Sequence, residues 1–172
     1  MIFELKRLKW VNSEIKKIED LLNKNKIKYK KISFNRKRKL KNNCFNNFIS
    51  IDKNTKENRY ICLGDLSRCS YMWHLFSYDL LPTYKPAEAI KKYDKLEKKE
   101  SYIIINIDGI SDIVFKIKNT KNLTSKLCKQ LLDVVVIDSD FNWIYARTHE
   151  EYQENGEYYF GPYFYEKTVD KD

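Results

Sequence analysis

Arginine, histidine and glutamate meet in one short run, Arg147-Thr148-His149-Glu150, and acid/base chemistry would sit there if this chain performed any. His74 is the chain's second imidazole. A metal centre would need both histidines to converge with a carboxylate or a cysteine, and neither H-x-x-x-H nor H-E-x-x-H occurs. His74 reads as a half-buried helix residue and His149 as a hydrogen bonder at a strand end. The chemical alternative is a small enzyme with Arg147, His149 and Glu150 lining a polar site. Asp138 and Asp140 are spaced like paired carboxylates, but a turn needs such short polar side chains anyway. The glycines stand only at 64, 109, 156 and 161, which excludes the Gly-rich phosphate loops. No G-x-S-x-G elbow is present. Cys44, Cys62, Cys69 and Cys128 form no C-x-x-C and read as small core residues. The expectation is no catalytic residue, no metal and no cofactor.

Two stretches have the composition of binding surfaces. The first is aromatic and acidic. Trp143 and Tyr145 lie beside a tail that contains Tyr158, Tyr159, Phe160, Tyr163, Phe164 and Tyr165. Tyrosine and tryptophan anchor protein interfaces, and the flanking acids would complement a basic partner. Packing across a hairpin uses the same residues equally well. The second stretch is basic. Lys24 to Lys41 holds ten Lys/Arg in eighteen residues, with Tyr29 and Phe34 interleaved. Nucleic acid would take its charges on phosphates and its rings by stacking, with Lys28, Lys30, Arg36, Lys37, Arg38 and Lys39 in front. A solvated lysine face is the plain alternative, since Lys, Ile and Asn make up 60 of the 172 residues, as codon bias in an AT-rich genome would produce. Residues 1–60 carry 18 Lys/Arg against 6 Asp/Glu, and residues 61–172 carry 15 against 18. The +9 net charge is therefore a basic head on a mildly acidic remainder.

The elements that must position these residues can be read from period and punctuation. Val134–Ile137, a turn at Asp138–Asp140 and an alternating run from Phe141 to Thr148 predict a hairpin. In it Phe141, Trp143, Tyr145 and Arg147 share one face. Ser101–Ile107 and Ile113–Ile117 predict a second hairpin through Asp108-Gly109. Met1–Trp10 reads as a short helix or an edge strand, and a helix runs from Ser13 to about Asn23. A strand follows over the alternating lysines, Asn35–Asn43 and Asp52–Asn58 read as loops, and Tyr60–Leu63 as a short strand or the approach to the next helix. A long apolar helix extends from Asp65 or Ser67 to Pro82, a second starts at Pro86, and a last one spans Leu123–Leu132 under an Asn122 or Thr124 cap. The fold class is α+β, a mainly antiparallel sheet with about four helices on one face. It forms one domain with a basic part at 1–59 and a second part at 60–165. No apolar run is long enough for a bilayer and the first ten residues have no signal core, so a cytoplasmic protein without a membrane partner is expected.

W-H-L-F-S at 73–77, the helix from Pro86, V-V-I-D-S-D-F-N-W-I-Y at 135–145, T-H-E at 148–150 and G-P-Y-F at 161–164 occur in that order. Together they resemble a family of small uncharacterised bacterial proteins, a domain of unknown function, over about Tyr60 to Phe164. The resemblance implies no reaction, cofactor or catalytic residue. At the level of the last hairpin alone, the chain is similar to small immunity and toxin-neutralising proteins. The expected function is accordingly protein binding of an inhibitor or immunity type. It would use Trp143, Tyr145, Arg147, His149, Glu150, Tyr163 and Phe164, with nucleic-acid binding or a small enzyme as the rivals.

Overall fold

A computed structural model describes residues 2–63, 71–107, 112–118, 120–131, 133–148, 152–154, 157–159 and 161–167. The centre is the predicted hairpin, β4 (Asp133–Asp138) and β5 (Trp143–Arg147), with Val136 opposite Tyr145 and Ile137 opposite Ile144. Asp138 closes its turn: the Asn142 backbone and side-chain N–H groups both donate to Asp138 Oδ2, at 3.2 and 2.9 Å. The second hairpin is β2 (Glu100–Asn106) and β3 (Asp112–Lys118); the Asp108-Gly109 turn lies outside the described residues. β1 (Lys28–Lys31) adds to β3, and β8 (Tyr163–Glu166) adds to β5. The result is a six-stranded antiparallel sheet in the order β1-β3-β2-β4-β5-β8. A separate two-stranded pairing joins β6 (Tyr152–Glu154) to β7 (Glu157–Tyr159).

The α+β class holds, but helices cover both faces of the sheet and not one. On the first face α1 (Ile2–Lys24), α5 (Pro86–Lys95) and the short α6 (Ser125–Cys128) bury Ile18, Leu22, Ala89, Tyr93, Leu127 and Cys128 against Ile103, Phe115, Val136 and Tyr145. On the second face α2 (Phe34–Phe48) and α4 (His74–Ser77) bury Leu40, Cys44, Phe45, Phe48, Leu75 and Phe76 against Ile104, Val114, Val135 and Ile144. Both parities of β4 are apolar for this reason, and all six of its residues are buried.

Several expectations change. α1 is one helix from Ile2. It ends in a Schellman motif, in which Ile27 N–H donates to Leu22 O and Lys26 N–H to Asn23 O, with Lys26 left-handed at φ +57° where glycine is usual. The Asn35–Asn43 loop is in fact α2. Leu40, Cys44, Phe45 and Phe48 make its buried stripe, hidden in the sequence among charged residues and among asparagines, whose helix propensity is low. Helix α3 (Lys56–Leu63) begins inside the expected Asp52–Asn58 loop, whose residues before Lys56 stay outside it, and takes the place of a Tyr60–Leu63 strand. Among the described residues the long apolar helix is only the four residues of α4. Left-handed Asp79, at φ +52°, turns the chain so that both Leu80 and Leu81 are buried; the caps at Asp65 and Ser67 lie outside the described residues. The last helix is also shorter than expected, but Thr124 caps it, its Oγ1 accepting from Leu127 N at 3.3 Å. Phe141 sits in the turn at φ +59° and packs on Phe48, on the face opposite Trp143 and Tyr145.

The two sheet edges differ. β8 is sheltered: Phe164 N–H donates to Thr83 Oγ1 at 3.0 Å, and Tyr84 stacks on Phe164. β1 is four residues long, and its three lysines are all exposed.

Candidate functional site

The aromatic hairpin is interior. Trp143, Tyr145, Tyr163 and Phe164 are 6%, 0%, 4% and 0% exposed. Trp143 meets Tyr93 edge-on at 5.9 Å, Tyr145 stacks flat on Tyr93, and Tyr163 lies parallel to Phe76 at 5.1 Å. As packed, these rings offer no surface to a partner: β5 is an inner strand, Thr83 and Tyr84 cover Phe164 on the edge strand β8, and a helical layer lies over each face. Arg147 is half-buried opposite Val134 at the end of β5. His149 and Glu150 lie outside the described residues.

The buried titratable groups are those of packing. Tyr93 Oη and Cys128 Sγ are 3.7 Å apart, and burial pushes the Cys128 thiol up to about 12. It therefore stays a thiol at neutral pH and is a poor nucleophile. Cys44 and Cys128 are both buried, as expected of small core residues. His74 is half-buried among the rings of Tyr71, Trp73 and Tyr78, edge-on to each. Among the described residues no three His, Cys, Asp or Glu side chains gather as metal ligands.

The basic block is divided by the fold. α2 starts near the Asp112 end of β3, because antiparallel pairing sets Lys31 opposite Phe115 and Ile32 N–H donates to Val114 O. Lys37 turns inward there, donating to Asp112 O at 2.5 Å, and burial lowers its pKa. Lys41 is buried and pairs with Asp112 Oδ2. These two lysines brace a structural corner with Asn106, which donates to Asp112 Oδ1 at 3.1 Å. The nearby gap, lined by Trp73, Asp112 and Asp133 among others, is about 10 Å³, at the lower limit for one water.

Arg36, Arg38 and Lys39 remain exposed on α2, and Lys28 and Lys30 on β1. Lys28 and Lys30 stand opposite Lys118 and Lys116, which share the parity of Val114, so these lysines lie on the α2 side of the sheet. Beyond Lys28 the turn after α1 and the one-turn helix Thr120–Asn122 close a cleft of about 210 Å³. Its lining is Lys26, Lys28, Lys118, Lys121 and Asn122. Lys26, Lys118 and Lys121 are members that the basic run in the sequence did not single out. Lys118 and Lys121 come from elsewhere in the chain, and only the β1–β3 pairing brings them here.

A family model described as "Domain of unknown function (DUF4275)" matches residues 16–164. The match begins inside α1 and takes in the basic segment as well as the motifs from Trp73 to Phe164. No curated protein and no solved structure matches the chain.

Proposed function

The chain belongs to the DUF4275 family of domains of unknown function, and we propose that it is a binding module for nucleic acid, which it holds by the phosphate backbone on the α2 and β1 side of the sheet. One observation carries this reading. Arg36, Arg38, Lys39, Lys28 and Lys30 are exposed on consecutive elements, and among the described residues none makes an ion pair with a carboxylate. Cations left without partners on one side of a sheet raise the local potential and attract a polyanion. The test is fluorescence anisotropy with a labelled single strand and a labelled duplex at 50 and 200 mM salt. Binding that weakens at least tenfold across that range, and weakens again in an Arg36→Gln, Arg38→Gln, Lys39→Gln variant, is the expected result. No binding of either probe at 50 mM salt overturns the reading.

Protein binding of an inhibitor or immunity type is the second reading, favoured by a different surface from the aromatic hairpin. Leu5, Leu8 and Trp10 of α1 are 54%, 59% and 47% exposed, while further along the helix Ile15 packs in part and Ile18 is buried against the core. A protein partner would cover those side chains. A partner captured after nuclease treatment and lost on Leu5→Glu, Leu8→Glu would support it. A partner that the same double variant retains would count against it.

A further inference from the structure

We propose that the cleft between the turn after α1 and the end of β3 is a seat for one phosphate group. The seat stands on the cleft alone; the source of the phosphate, a nucleic-acid strand, rests on the nucleic-acid reading above. Four lysines from three separate segments line the cleft. Lys26 and Lys28 come from the α1–β1 junction, Lys118 from the last position of β3, and Lys121 from the helical turn that follows. The Asn122 side-chain amide donates to Asn25 O at 3.0 Å and ties two of those segments together across the cleft.

Protection of the sheet edge does not account for this arrangement. Lysines on β1 guard an open edge. Lys118, however, belongs to a strand paired on both sides, by β1 and by β2, and Lys121 is in no strand. Lys28 and Lys118 are directly opposite in the ladder, a like-charge pairing that works against the fold.

The carboxylate opposite Lys118 does not neutralise the cleft. Glu100 is opposite Lys118 on the β2 side; its carboxyl is held below the usual range first by the hydrogen bond from Lys116, and only last by the charge of Lys118. Glu100 nevertheless places Oε2 on Lys116, at 2.7 Å, one pleat further along. Among the described residues Lys26, Lys28, Lys118 and Lys121 have no carboxylate at ion-pair distance. A cleft of about 210 Å³ has the volume of roughly seven waters, enough for a tetrahedral oxyanion and part of its hydration. Phosphate suits it better than carboxylate, because three or four oxygens can face ammonium groups arriving from different directions.

The experiment uses the full chain, labelled with 15N, and two probes: inorganic pyrophosphate and a labelled single strand. The amides of Lys26, Lys28, Lys118 and Lys121 and the side-chain amide of Asn122 are followed. Saturable shifts at these positions with pyrophosphate are expected. Its Kd should rise at least tenfold in Lys118→Gln, Lys121→Gln and stay unchanged in Lys91→Gln, Lys95→Gln, two lysines exposed on α5. A separate Lys26→Gln variant repeats the measurement without touching the sheet. For the strand, the cleft variant should weaken binding and reduce the salt slope by about 1.4, roughly 0.7 for each lysine that no longer neutralises a phosphate of a single strand. Saturable pyrophosphate binding in the cleft without strand binding upholds the seat and removes nucleic acid as its source. Strand binding that both cleft variants leave unchanged overturns the seat and leaves the nucleic-acid reading standing. Scattered pyrophosphate shifts that do not saturate also overturn it.

Discussion

The ring of Tyr93 lies on the ring of Tyr145, with centroids 3.9 Å apart and planes 15° from parallel. The stack locks α5 to β5 at the middle of the first core. Both rings are fully buried, and the Tyr145 hydroxyl meets no hydrogen-bond partner at ordinary geometry, although Arg147 is within electrostatic reach. The stabilising part of Tyr145 is therefore its ring. Tyr145→Phe should stay within about 1 kcal/mol of wild type in urea denaturation, whereas Tyr145→Ala should lose about 3–5 kcal/mol. A Phe variant as unstable as the Ala variant would show that the oxygen is bonded after all.

Trp143 follows the same logic. Its burial under Tyr93 makes Trp143→Ala a core deletion that costs about 3–5 kcal/mol, a large share of the stability of an ordinary domain. The denaturation midpoint should drop sharply, and Trp143→Phe should recover part of it. An unchanged midpoint for Trp143→Ala would contradict the packing described for β5.

The Lys41–Asp112 pair should behave as a buried pair does. Asp112→Ala leaves the Lys41 ammonium in the second core without its partner and should cost about 3–5 kcal/mol. Adding Lys41→Met removes the stranded charge and should restore more than half of that loss. A double-mutant cycle in guanidinium measures the coupling, and purely additive effects would mean that the pair is not formed in solution.

Alkaline pH should destabilise the protein earlier than exposed tyrosines and lysines would. Burial raises the Cys128 thiol from its ordinary 9.0 to about 12, and raises the Tyr93 and Tyr145 hydroxyls in the same direction. The unfolded chain then releases protons that the folded chain keeps. Stability is fully present below pH 9 and falls as pH rises from about 9 towards 12, by about 1.4 kcal/mol per pH unit for each group in its window. Denaturation midpoints measured from pH 7 to 11 should bend downward near 9, and in Cys128→Ala the bend should move towards 10, where phenols begin to ionise. A profile flat to pH 11 would contradict the buried cluster.

Legibility in the sequence followed how local the signal was. β4 and β5 were readable because a β-branched run, a polar turn and an alternating run are adjacent. Helix α5 was readable because Pro86 marks its start and Ala89 and Tyr93 keep its period. The buried stripe of α2 was obscured by the asparagines and lysines around it, and its helicity depends on Cys44 and Phe45 being buried against the sheet. Phe141 was assigned to the wrong face because alternation was extended into a turn residue with positive φ, where the period of two no longer holds.

The sequence by itself determined the class, the central hairpin and the gathering of positive charge in the first third, since composition, period and turn chemistry are written in neighbouring residues. Tertiary structure decided which groups face solvent. Trp143, Tyr145 and Phe164 went inside because β5 acquired neighbours on both sides and helices on both faces. Lys28 came to face Lys118 because antiparallel pairing joined β1 to β3. No local pattern records either outcome, because each depends on strand order, and strand order is settled by burying the whole apolar surface at once.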